Sequence, residues 1–126
     1  AADDLMSARA LQAARAGTEW GMFQALQGSW RRANCNGQRT TLTDIGAVIS
    51  GFKVTVTCTS KAAAFNEGQA DDGAFTSVKT WVYRIEATAC NGGTTHCTDA
   101  NSALAVTGYV ERSAQAIITD TPQGMQ

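Results

Sequence analysis

From about Asp3 to Gln27 the chain contains no proline and is built mostly from Ala, Leu, Met, Gln and Arg, all good helix formers. Beyond residue 52 the apolar pattern changes to period two, and no helical repeat separates the later segments. One long helix followed only by strands leaves few solutions. The expectation is an α+β domain in which the helix packs on an antiparallel sheet.

The helix should be about 35 Å long at about 1.5 Å per residue, with Gly28 and Ser29 as its stop. Apolar residues recur at Ala13, Ala16, Trp20, Phe23 and Leu26 with spacings of three and four, and Trp30 extends the row. Its halves differ. Trp20, Phe23 and Leu26 offer large side chains suited to a sheet, so they are assigned to the helix–sheet core. Leu5, Met6, Arg9, Ala10 and Ala13 belong to a surface of smaller side chains that lets another helix approach closely. On one account only the second half packs within the domain; on the other both halves cover a single sheet.

The clearest strand alternates Phe52, Val54, Val56 and Cys58 with Lys53, Thr55, Thr57 and Thr59. Residues 62–73, with Asn66, Gly68, Asp71, Asp72 and Gly73, read as a polar loop. A second strand is expected over about 77–90, with Trp81, Tyr83, Ile85, Ala87 and Ala89 on one face. A last strand is expected over about 103–119, with Val106, Val110, Ala114, Ala116 and Ile118 on one side. Arg112 interrupts that side, which points to a bulge or a buried ion pair. A short further strand fits Thr40 to Ile45, giving a sheet of three to four strands. Residues 1–126 form a single domain, with 1–28 as helix and 29–126 as loop and sheet.

Of 126 residues, 44% are apolar and 17% charged, as in an ordinary globular chain, and the net charge of -1 lacks the basic surplus that nucleic acid requires. The cysteines Cys35, Cys58, Cys90 and Cys97 include no C-x-x-C pair, so disulfides in an oxidising compartment are a better reading than zinc. Cys58 has the parity of the buried face and Cys90 the opposite parity, which disfavours a bridge between them. Cys35–Cys58 and Cys90–Cys97 are then the expected bridges, although four cysteines allow three pairings.

Little in the sequence points to catalysis. The lone His96 reads as a solvated loop side chain, and no G-x-S-x-G elbow, P-loop or dinucleotide fingerprint occurs. Glu67, Asp71 and Asp72 form a weak calcium candidate without EF-hand spacing, and Asp99 with Asn101 a weaker one. No resident metal or cofactor and no enzymatic activity are expected. Arg15 and Glu19 have the spacing of an i,i+4 ion pair.

The run Ser7-Ala8-Arg9-Ala10-Leu11-Gln12-Ala13-Ala14-Arg15-Ala16-Gly17-Thr18-Glu19-Trp20-Gly21 resembles the distal N-terminal helix of the MshP family of mannose-sensitive haemagglutinin pilus biogenesis proteins. That family is similar to the PilX-like minor pilins of type IV pili. Weaker likeness extends to Tyr83-Arg84-Ile85-Glu86-Ala87-Thr88-Ala89-Cys90 and Val110-Glu111-Arg112-Ser113. The resemblance implies a type IV pilin-like fold and a minor pilin that primes or caps assembly of a pilus used for attachment or motility. An adhesin-like tip module binding a glycan or calcium is the alternative. It also implies pilin subunits and the inner-membrane assembly machinery as partners, with Leu5, Met6, Arg9, Ala10 and Ala13 at the subunit interface. The location implied is the periplasmic face of the inner membrane, then the pilus or cell surface. The chain as given shows no prepilin peptidase site and no apolar membrane segment. The expectation is therefore a parent chain anchored through a further N-terminal helix.

Overall fold

The computed structural model describes residues 2–43, 51–69, 75–100 and 108–120. A helix, α1 (Ala2–Gln27), is followed by a 3-10 turn (Arg32–Cys35) and four strands: β1 (Gln38–Leu42), β2 (Lys53–Gln69), β3 (Phe75–Cys90) and β4 (Glu111–Asp120). The strands form one antiparallel meander in the order β1-β2-β3-β4, with α1 packed on one face. The expected α+β arrangement is thus present, with four strands.

Alternation fixes which side of each strand meets the helix. Val54 pairs with Ala89, Val56 with Ala87 and Cys58 with Ile85, and all six are buried. Phe52 and Tyr83 complete this layer, while Ala114, Ala116 and Ile118 of β4 pack against it. Residues 62–69 of the stretch read as a polar loop instead continue β2 to Gln69, with a register shift between Asn66 and Gln69, and residues 70–73 lie outside the described residues. Asn66 and Gly68 carry weak strand propensity, and pairing with β3 overrides it. The short strand near residue 40 runs from Gln38 to Leu42, and residues 44–50 lie outside the described residues. The last strand is described from Glu111; Val106 also lies outside the described residues.

The helix meets the sheet through its small residues. Ala10, Ala13, Ala14 and Ala25 are fully buried, and Gly17, Thr18 and Gly21 lie on the same face. A Cβ at position 17 would lie 2.5 Å from Val54 Cγ1 and 3.0 Å from Ala87 Cβ. At position 21 it would lie 2.5 Å from Ile85 Cγ2 and 3.0 Å from Val56 Cγ1. Two glycines four residues apart therefore seat the helix backbone directly on the methyl groups of β2 and β3. Thr18 fits the same face because its hydroxyl bonds back to the Arg15 carbonyl at 2.7 Å.

This corrects two assignments. Phe23 and Leu26, expected in the helix–sheet core, are 55% and 37% exposed. Ala10 and Ala13, expected to remain open for another subunit, are fully buried within this one. Both halves of α1 cover the sheet, because a row of small residues permits a closer approach than a row of large ones. Trp20 is half-buried and meets the buried Trp30 edge-on, with ring centroids 5.0 Å apart. Arg15 and Glu19 are both exposed and do not pair; the ion pairs among the described residues are Arg39–Asp99 and Arg84–Glu86.

After the helix the chain is latched to β2. Arg32 has φ 54°, a conformation unfavourable for a side-chain-bearing residue, and its N–H donates to the hydroxyl of buried Tyr83 at 2.7 Å. Ser60 donates through its hydroxyl to the Arg32 carbonyl and through its N–H to Asn36, both at 2.8 Å. The Cys35–Cys58 disulfide closes the same corner, with Cα atoms 5.3 Å apart.

Replacing Gly17 with leucine is expected to lower unfolding free energy by about 2–3 kcal/mol, since overpacking outweighs the gain in helix propensity. Phe23→Gln should cost less than about 1 kcal/mol, as expected of a largely exposed site. Urea titration of both variants checks the contrast.

Candidate functional site

With one face of the sheet occupied by α1, function must be sought on the opposite face, at the sheet edges or on the outer side of the helix. The opposite face carries a row of hydroxyls in register: Thr41, Thr55, Thr88 and Ser113 stand side by side across the four strands. Thr41 and Thr55 share a hydrogen bond of 2.7 Å, and Thr88 and Ser113 one of 3.0 Å.

The loop closed by Cys90–Cys97 folds over one end of this row. Cys90 pairs with Lys53 on the face away from the helix, so the bridge, with Cα atoms 5.7 Å apart, draws the loop there. The Cys97 N–H donates to Thr55 Oγ1 at 2.8 Å, the Lys53 ammonium donates to the Thr94 carbonyl, and Thr55 is left 1% exposed. His96 was expected to be solvated but is half-buried, with Nδ1 2.5 Å from Thr41 Oγ1. A Thr–His contact has the outline of a nucleophile and base, yet the nearby carboxylate does not orient the ring. Asp99 accepts from the His96 backbone N–H at 3.1 Å and lies 4.0 Å from Arg39. These contacts fasten the loop to the sheet.

Both disulfides join the pairs expected from strand parity. Arg112 produces neither a bulge nor a buried ion pair: β4 stays in register with β3, and Arg112 is exposed. It lies over the start of α1, where it donates to Ser7 Oγ at 2.8 Å. Of the weak calcium candidates, Glu67 falls in β2, whereas Asp71, Asp72 and Asn101 lie outside the described residues. No group of three or more His, Cys, Asp or Glu able to hold a metal occurs among the described residues.

Apolar side chains stay exposed on both sides of the domain. On the outer side of α1, Leu5 is 54% exposed and shares a stripe with Gln12, Glu19 and Phe23; Leu26 lies beside it. Arg9 is exposed and Met6 half-buried. On the far face of the sheet, Ile117 is 59% exposed. It lines a shallow pocket of about 400 Å3 with Thr59, Ser60, Lys61, Val82 and Arg84. The sequence does not mark Ile117, because it has the strand parity opposite to the core positions Ala114, Ala116 and Ile118. No described helix is long and apolar enough to cross a membrane. The chain matches no known protein family, no curated protein and no solved structure.

Substituting Cys90 and Cys97 together with serine is expected to destabilise the protein by about 2 kcal/mol. It should also accelerate hydrogen exchange across residues 94–99. The Cys35–Cys58 bridge closes a longer loop, so its removal by the same change should cost about 3 kcal/mol. Denaturant unfolding with mass-resolved exchange measures both effects.

Proposed function

We propose that this chain is the soluble part of a minor pilin-like subunit, which primes or caps a type IV pilus of the mannose-sensitive haemagglutinin kind. The observation that carries this reading is the long helix lying along an antiparallel sheet, with a solvent-facing side that keeps Leu5, Phe23 and Leu26 exposed. Exposed large apolar residues on a helix are well suited to burial against neighbouring subunits. The likeness of residues 7–21 to the MshP and PilX-like helix supports the same reading, as do two disulfides suited to the periplasm.

The interface in this proposal differs from the one expected on sequence grounds. Burial removes Ala10 and Ala13 from it; Leu5 and Arg9 stay, and Phe23 and Leu26 join them. The partners are other minor and major pilin subunits and the inner-membrane assembly machinery, with the parent chain anchored by a further apolar helix. The isolated domain acts by shape and surface; it uses no resident cofactor.

The test replaces two apolar side chains of the outer helix face with charged ones. Phe23→Glu with Leu26→Lys in the full-length protein should abolish or strongly reduce surface pili while the purified domain keeps its fold by circular dichroism. Normal piliation in a strain that depends on this gene product would overturn the reading; normal piliation with lost attachment would point instead to the adhesin alternative.

A further inference from the structure

The two edges of the sheet are not alike. β1 is only five residues long and carries Arg39 at its second position. β4 is ten residues long, and among the described residues no strand pairs with its far side. Between Arg112 and Asp120 it reads Ser-Ala-Gln-Ala-Ile-Ile-Thr, with no charge and no proline. Natural edge strands are usually kept apart by such interruptions, and an edge without them is a template for pairing.

The geometry points to a second copy of this chain as the partner, joined through antiparallel β4–β4 pairing about a two-fold axis at Ala116. In that register residue i faces residue 232 - i of the other copy, as the symmetry of an isologous interface requires. Arg112 then faces Asp120, and Asp120 faces Arg112, so the charges immediately next to the neutral stretch meet their opposites at both ends. Ala114 faces Ile118, a small side chain against a large one, and Ser113 faces Thr119. Gln115 faces Ile117, and the two copies of Ile117 become diagonal neighbours on the far face of the sheet. Such neighbours lie about 7–8 Å apart, within reach of branched side chains. This pairing shelters the most exposed large apolar residue described in the structure.

The charges are poised for it. Arg112 is held beside the edge by its hydrogen bond to Ser7 and retains further guanidinium donors. Asp120 forms no ion pair among the described residues. A parallel arrangement, or an antiparallel one slipped by two residues, loses the Arg–Asp match. The product is a continuous eight-stranded sheet with both helices on the same side, and it forms independently of any pilus.

Sedimentation equilibrium of the 126-residue chain tests the proposal, with reversible dimerisation expected at a dissociation constant on the order of 100 µM. Arg112→Glu and Asp120→Arg should each weaken the dimer about tenfold, because each sets two like-charged pairs face to face. The double variant, which swaps the charges, should return to within about threefold of the original. Circular dichroism confirms that each variant is folded. A chain still monomeric at about 1 mM, single reversals without effect, or a double variant no better than the singles would each overturn the pairing.

Discussion

The close seating of α1 on β2 and β3 governs the rest of the structure. Gly17 and Gly21 leave no room for a Cβ beside Val54, Val56 and Ile85, so the helix axis sits near the sheet along a seam of Ala, Gly and Thr. Close packing of small side chains gains many weak contacts, although each buries little apolar area. Two glycines inside a helix cost about 1 kcal/mol each in propensity, so their presence makes sense only where the backbone must approach another element. The large residues that do not fit this seam are turned elsewhere. Trp20 and Trp30 close the end of the helix, while Leu5, Phe23 and Leu26 remain towards solvent.

The same constraint explains the reinforcement elsewhere. A core of alanines and valines is thin, and the segment after the helix has few apolar residues of its own. Cys35–Cys58, the Tyr83 hydroxyl and Ser60 hold that segment, and Cys90–Cys97 holds the loop on the far face. Each latch engages β2 or β3, the two strands on which the helix glycines rest. The helix covers one face and the disulfide loop part of the other. The outer side of α1, the Ile117 region and the β4 edge are then left available to partners. These open surfaces support the minor pilin proposal.

The strands were legible because alternation is a strong signal when one face is buried. Phe52, Val54, Val56 and Cys58, and likewise Tyr83 to Ala89, have the parity read from the sequence. Parity also ordered the disulfides. The helix was less legible because its large apolar residues do not mark the buried side. Ala13, Ala16, Trp20, Phe23 and Leu26 form a regular row, but of these only Ala13 joins the seam, which is otherwise made from Ala10, Ala14, Gly17, Gly21 and Ala25, barely apolar as side chains. The readable signal was the Gly17–Gly21 spacing, which pays off in a helix only through close approach. The surroundings of His96 and Arg112 were not legible for another reason. Their partners, Thr41 and Ser7, are 55 and 105 residues away in the chain and are brought near only by the sheet.

The small side of the helix faces inward and the large side outward. Nuclear Overhauser contacts in a methyl-labelled sample measure this most directly. Strong contacts are expected from the Gly17 and Gly21 α-protons to the methyls of Val54, Val56 and Ile85, and none from the Phe23 ring to those methyls. Contacts from the Phe23 ring to the Val56 and Ile85 methyls, with the glycine α-protons silent, would contradict it.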